Sequence, residues 1–405
     1  MRRFVPPFLP KSRDIVRLED AVSIRILCVS LVVSAVIPFR AVSRVLATSN
    51  PAGWVPHFTS VINWTLRLGL SLLQGVVPTD EPWVAIVDAS IDVAIQKVLV
   101  VLRVPLSALT RRGAALTLED AQCICVKVAT TWTGETVCSA LEEVFVESGR
   151  PVAILKDGGS DLKRGVTLLN NKGLGKTIQV IEDVGHVAGN AIKDEYGGQS
   201  ALKDFISVIC RGAAKLRQSE LAFLTPPKLR SKGRFQGITK LSEWAGRILP
   251  LFGETGPAKP NSLAARLRVF FPQLCRFREF LERFSSTCDV ARVFLEEMKN
   301  KGFSPSTSKK AEDILRTLPE ASPFRQRMAL WLQAQSACHE SLGLGEEPMP
   351  VSSDILESLF GKVKAGIARN PKAEFNSIVL AIPALCGVIS NEIIERALSD
   401  VSHRK

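Results

Sequence analysis

Residues 83–91 read WVAIVDASI, and the reading of this run decides the fold. It is short, rich in β-branched residues and carries an acid after its apolar stretch, which marks a strand. KVLVVLRVPL (97–106) and AQCICVKVAT (121–130) have the same character, and the first two runs lie close enough to form a hairpin. TGETVCSALEEVFVESG (133–149) switches to helical spacing, opening on Thr133 with Thr136 behind it and stopping at Gly149 before Pro151. PVAILKDGGSDL (151–162) is then a buried strand ending in an acidic, glycine-rich turn. SDLKRGVTLLNNK (160–172) is helical, TIQVIEDV (177–184) a strand and GHVAGNAIKDEY (185–196) a helix. The order β-β-β-α-β-α-β-α predicts an α/β fold, a mixed sheet with helices on its faces.

The flanks read helical. Residues 15–75 break at Ile37–Pro38, after which FRAVSRVLAT (39–48) sets Arg40 and Arg44 four apart. That is the layout of a helix-turn-helix whose second helix lies on DNA. WVPHFTSVINWTLRLGLSLL (54–73) is a second such unit, with Trp64 and Arg67 on a polar-aromatic side. A plain helical bundle fits the same spacing. Residues 193–345 lose the strand signal and read as helices with basic loops, and helical spacing returns from 354 onward.

The formal charge of +12 is unevenly spread: +5 over residues 1–80, −2 over 81–192, +10 over 193–345 and −1 over 346–405. A polyanion held by the basic segments beside cations held by the acidic ones produces this division. At 46% hydrophobic and 23% charged, the chain falls outside the disordered class. The uncharged run Ile26–Phe39 has 14 residues, short of the roughly 20 a bilayer needs, so no membrane is expected. Prolines in the opening MRRFVPPF interrupt any signal-peptide core. Nine scattered cysteines suggest reduced thiols and a cytoplasmic location, and four histidines apart from them argue against zinc. NKGLGKT (171–177) fails as a phosphate loop because Asn170 stands where a glycine is required.

Three acids stand out. Asp88 follows the apolar stretch of the first strand, and Asp157 follows the strand PVAILK with two glycines behind it. In SSDILESLFGKVK (352–364), Ile355, Leu356, Leu359 and Val363 form the buried stripe of a helix that leaves Asp354, Glu357, Gly361 and Lys364 on the other face. Singly, Asp88 and Asp157 suit turns, and Glu357 suits a capping box with Asp354 as N-cap. Jointly, two strand ends and one helix bring three carboxylates to a cleft. That set suits two Mg²⁺ or Mn²⁺ ions for phosphodiester displacement. Asp92, Asp161 and Asp354 are near neighbours of the three, and Asp92 is expected beyond the strand end. Lys364, two turns past Glu357, is placed to bind a phosphate. In LTPPKLRSKGRF (224–235), Lys228, Arg230, Lys232 and Arg234 alternate, so an extended backbone lines up four cations like successive phosphates.

The segments WVAIVDASIDVAIQKVLVVLRV, PVAILKDGGSDLKRG, IEDVGHVAGNAIK, LTPPKLRSKGRF and SSDILESLFGKVK, spread through residues 83–364, resemble bacterial insertion-sequence DDE transposases. NWTLRLGL (63–70) adds a looser likeness. These enzymes belong to the RNase H-like, retroviral integrase superfamily. The resemblance implies an RNase H-like mixed sheet with helices on both faces, interrupted by a large all-α insertion of the hAT-like kind, plus an N-terminal helix-turn-helix-like region. It divides the chain into a helical DNA-binding region (1–80), the first part of the catalytic core (81–192), a basic all-α insertion (193–345) and helices completing the core (346–405). Asp88, Asp157 and Glu357 match the family's catalytic, metal-binding acids. His186, in Asp183-x-x-His186, matches a histidine that contacts DNA, although a first-turn helix position explains it equally. The implied partners are double-stranded DNA, as element ends and target, and further copies of the chain in a dimer or higher oligomer. The implied setting is the bacterial nucleoid. A histidine often follows the family's first acid, and here Ala89 does. That departure keeps two alternatives open: a decayed or repurposed DNA-binding copy, and a nuclease or resolvase on the same fold.

Overall fold

The computed structural model describes residues 21–49, 53–93, 96–173, 175–228, 238–252, 258–366 and 377–400. Five strands form one sheet: β1 (Trp83–Val93), β2 (Gln96–Pro105), β3 (Gln122–Ala129), β4 (Ala153–Lys156) and β5 (Gln179–Glu182). They lie in the order β3-β2-β1-β4-β5. β1, β2 and β3 form an antiparallel meander, while β4 joins β1 and β5 joins β4 in parallel. The chain is thus mixed α/β, as expected.

Among the described residues the helices before, between and directly after the strands are α1 (Ala21–Val33), α2 (Phe39–Ser49), α3 (Phe58–Gln74), α4 (Ala108–Arg112), α5 (Gly134–Ser148), α6 (Ser160–Asn171) and α7 (Val184–Tyr196). Then follow α8 (Ser200–Arg217), α9 (Thr239–Ile248), α10 (Leu263–Phe270), α11 (Arg278–Lys301), α12 (Pro305–Arg316), α13 (Pro323–Ser341), α14 (Asp354–Gly366) and α15 (Asn391–Asp400). Boundaries follow local chemistry. Thr133 and Thr136 form a reciprocal capping box at α5, and Gly149 takes a φ of 82° at its end. Pro305 and Pro323 open α12 and α13, where a missing N–H costs nothing.

The sheet is buried on both faces. On one, Trp83, Ala85, Val87 and Ile154 pack with Val137, Leu141, Leu162 and Val166 of α5 and α6. On the other, Val84, Ile86, Ala153, Leu155 and Ile181 join the larger core with Ala188 of α7, Trp331 of α13 and Leu356 and Leu359 of α14. Successive residues of a strand point to opposite faces, so an apolar run without alternation is what a doubly covered strand requires. Each such side chain contributes about 1.5–3 kcal/mol by leaving water.

One expectation about β1 is corrected. The strand does not end near Asp88; it continues to Val93 and includes Asp92, with a shift of register between Asp88 and Ile91. The irregularity lets β1 keep pairing with β2 after its partner β4 has ended. No helix among the described residues is long and apolar enough to cross a membrane.

Candidate active site

The strand register builds the site. Val87 pairs with Lys156, and Lys156 pairs with Glu182, where β4 and β5 end beside the middle of the longer β1. One step further, Asp88, Asp157 and Asp183 fall in a row across β1, β4 and β5. All three share the parity of Ile86, Leu155 and Ile181, and so belong to the face covered by α7, α13 and α14. In open α/β sheets this edge, beyond the carboxyl ends of the strands, is where binding sites form.

Each acid is held differently. Asp88 is half-buried, and its Oδ1 accepts from the Ala89 N–H at 2.6 Å. Asp157 is half-buried too, and its Oδ1 accepts from the Gly159 N–H at 2.9 Å. Gly159 leaves that oxygen room, because a Cβ would stand 2.9 Å from it and turn the carboxylate aside. α6 begins at the next residue, so Asp157 faces the positive end of a helix. Asp183 is fully engaged: Oδ1 accepts from the His186 N–H at 2.7 Å, while Oδ2 accepts from the Ser353 N–H at 2.7 Å and the Ser353 hydroxyl at 2.9 Å. The Val184 N–H also donates to the Val351 carbonyl at 2.9 Å. These bonds fasten the end of β5 to the start of α14.

α14 packs against β1 and carries Glu357 one turn from its start. The expected capping box is corrected here. Asp354 is the first helical residue rather than the cap, and Lys299 of α11 donates to both its oxygens, at 2.8 and 2.7 Å. Glu357 lines a cavity of about 260 Å³ with Asp183, Gly185, Arg292, Lys299 and Asp354. Its carboxyl is held above the ordinary carboxylate range by burial first and by Asp354 and Asp183 next, while Lys299 and His186 oppose the rise. His186, in the first turn of α7, is therefore an electrostatic neighbour of Glu357 as well as a helix-start residue.

The structure sets Asp88, within β1, one step past the Val87–Lys156 pair alongside Asp157 at the end of β4, and Glu357 lines a cavity with Asp183 at the end of β5. Carboxylate oxygens alone make up this donor set, which suits a hard divalent cation. As the side chains are oriented, no group of three or more His, Cys, Asp or Glu among the described residues stands close enough to hold a metal ion.

The expected DNA contacts divide. Arg40 and Arg44 are exposed on α2, and the Arg40 guanidinium lies 4.8 Å from the Phe58 ring centroid. Lys228 and Lys364 are exposed. Arg230, Lys232 and Arg234 lie outside the described residues. Trp64 and Arg67 are corrected. Trp64 is buried beside Trp54 and Arg25 rather than displayed, and the Arg67 guanidinium donates to the Leu398 carbonyl of α15. Arg67 thus meets α15, and Trp64 meets Trp54 and Arg25, neighbours that the spacing within α3 could not reveal.

Three contributors to the site escaped sequence reading as such. Asp183 entered only through Asp183-x-x-His186, yet its second oxygen serves the chain 170 positions on. Lys299 sits in a charged helix among many bases and carries no local mark. Lys156 reads as the polar end of β4 but is 1% exposed, with its ammonium donating to the Asp157 carbonyl at 3.3 Å. Burial holds its pKa below the usual lysine value, with Glu182 and Asp157 opposing.

No protein-family model and no curated protein matches the sequence. Among solved structures the chain is similar to the Drosophila P element transposase strand transfer complex, at a TM-score of 0.48 and 14% identity over 94% of this chain and 93% of that one.

Proposed function

We propose that the chain is a DNA transposase on an RNase H-like core, which cleaves DNA strands and joins them to a target. The observation that carries the reading is the register of β1 with β4, which sets Asp88 and Asp157 side by side on the face where α14 packs. The strand order and directions suit an RNase H-like core, and the helices of residues 193–345 suit an insertion before its last acidic helix. Asp88, Asp157 and Glu357 would hold Mg²⁺ or Mn²⁺. The chemistry such a pair of ions supplies when bound is activation of an attacking oxygen and stabilisation of the leaving one. The chain's own residues do the rest. The glycine turn after Asp157 fixes its carboxylate, Asp183 holds the start of α14 against the sheet, and exposed Arg40, Arg44, Lys228 and Lys364 offer cations to DNA phosphates. Two element ends must meet for joining, so a dimer or larger assembly on DNA is expected.

The test is nicking of supercoiled plasmid in Mn²⁺ by the wild type and by Asp88→Asn, Asp157→Asn and Glu357→Gln. Nicking by the wild type alone, with DNA binding retained by all four, supports the triad. Ala89 favours a second reading, a copy that binds DNA without cutting it. Binding without nicking, on plasmid and on DNA flanking the gene alike, selects that reading. Cleavage without strand-transfer products selects a nuclease or resolvase.

A further inference from the structure

The start of α14 carries two acids, and the structure treats them unequally. Asp354 and Glu357 are three residues apart on one helix and line the same cavity. Both Asp354 oxygens are taken by the Lys299 ammonium. Among the described residues, no hydrogen bond or ion pair engages the Glu357 carboxylate. We propose that Lys299 withholds Asp354 from the metal ions and thereby leaves Glu357 as the third acid, an inference that rests on the two-metal reading above.

Lys299 is built into this position. It lies in the last turn of α11, and the chain beyond it is fixed at once. Gly302 has a φ of 71°, where a Cβ would meet Leu109 at 2.6 Å and the Met349 carbonyl oxygen at 2.7 Å. Phe303 and Met349 then exchange two backbone hydrogen bonds of 2.8 Å each. The end of α11 and the approach to α14 are thus pinned together a few residues from both Lys299 and Asp354. Gly185 of α7 lies next to the lysine, where a Cβ would stand 3.4 Å from the Lys299 Nζ, an ordinary contact distance. The lysine is 29% exposed along its side chain and Asp354 50%, so the pair is partly open to solvent and owes its place to the fixed backbone around it.

A carboxylate whose two oxygens face one ammonium must break that pair before it can ligate a metal. Without Lys299, Asp354 and Glu357 present two free carboxylates at a spacing that lets them share one ion. An ion drawn toward Asp354 leaves the position in which Asp88 and Asp157 would share it. Lys299 is accordingly a positioning residue that acts through Asp354.

The test compares the full-length wild type with Lys299→Met, Asp354→Asn and the double variant, with Lys299→Gln as a second neutral replacement. Free Mn²⁺ is followed by its electron paramagnetic resonance signal during titration. Lys299→Met and Lys299→Gln are expected to bind Mn²⁺ about tenfold more tightly than the wild type, and Asp354→Asn to cancel the gain. The double variant has the wild-type net charge, so its return to wild-type affinity separates local charge from a freed ligand only together with Asp354→Asn alone, which is expected to match the wild type. Unchanged affinity in both Lys299 variants, or a gain that survives Asp354→Asn, overturns the proposal. In plasmid nicking, Lys299→Met is expected to lose about tenfold and the double variant to recover. A purely structural ion pair would instead make Asp354→Asn as defective as Lys299→Met, with no recovery. If the wild type fails to nick both plasmid and DNA flanking the gene, the cutting transposase reading falls, and the Mn²⁺ titration still decides the role of Lys299.

Discussion

Ser353 donates both its backbone N–H and its hydroxyl to a single oxygen of Asp183, across 170 positions of sequence. Asp183 is 2% exposed and Ser353 6%, so water cannot replace either bond. Asp183→Asn leaves a nitrogen facing at least one of three donors, and is expected to cost about 1–3 kcal/mol. Ser353→Ala removes one hydroxyl bond and keeps the backbone one, at about 0.5–1.5 kcal/mol. Urea unfolding of the two variants checks the order. A larger loss in Ser353→Ala would mean that Asp183 is not the acceptor on which the junction depends.

The candidate acids predict a sharper effect on rate than on folding. Loss of a metal-binding carboxylate removes several kcal/mol of transition-state stabilisation, so Asp88→Asn and Asp157→Asn are each expected to slow nicking about 10³-fold. Chelation of divalent ions should abolish nicking in the wild type and leave DNA binding intact. Nicking that survives in Asp88→Asn would move the role to Asp92, which β1 also carries.

Glu357 gives a pH signature. Its carboxyl lies above the ordinary range in the folded chain, because of burial and then Asp354, and returns to the ordinary value on unfolding. The folded state therefore binds the proton more tightly, and its stability falls as pH rises from the ordinary carboxylate value through the raised one. Glu357→Gln removes that loss. The variant should melt with the wild type below about pH 4 and above it at pH 7. Glu357 is open to solvent, so the gain should be only about 1–2 °C. Calorimetry at the two pH values would exclude this account if the wild type melted higher at pH 7.

All nine cysteines are free, and they differ in reach. Burial pushes the thiols of Cys28, Cys125, Cys288 and Cys386 up to about 12, and that of Cys338 to about 11. Cys210 is exposed and Cys275 half-buried. A thiol reagent at pH 8 should therefore modify one residue quickly, with Cys210→Ser removing that phase, and all nine only after unfolding. More than two fast thiols in the native protein would contradict the packing.

Two glycines in helices should respond oppositely to alanine. At Gly69 of α3 a Cβ would stand 1.6 Å from the Leu380 carbonyl oxygen, so Gly69→Ala must push two backbones apart and is expected to cost about 3 kcal/mol. At Gly246 of α9 nothing lies within 4 Å, and Gly246→Ala should stabilise by about 0.4–1 kcal/mol. Thermal melts of the pair would show whether α3 and the 377–381 turn touch as closely as described.

How far these features were legible depended on range. The runs at Trp83, Gln96 and Gln122 announced strands through β-branched residues alone, and Thr133 with Thr136 announced α5, since each signal is contained in a few neighbours. The joint placement of Asp88 and Asp157 was legible because both acids end apolar runs of a pattern that parallel strands share. What failed was whatever a distant element supplies. Trp64 and Arg67 read as an outward face until Trp54 and Arg25 met the one and α15 the other. Asp354 read as a cap until α11 brought Lys299. The burial of Lys156 comes from the sheet around it, and a lysine closing a strand carries no trace of that.

The bond between Arg67 and the Leu398 carbonyl spans 331 positions, and α1 and α3 both contact α15. During synthesis, α3 thus leaves the ribosome long before the helix that covers it exists. Its apolar side must wait, shielded by α1 and α2 or by a chaperone, until α15 has been made. Arg40 and Arg44, on the helix next to it, would therefore be firmly presented only by finished molecules. A chain interrupted before α15 would carry the same basic helix on a loose support.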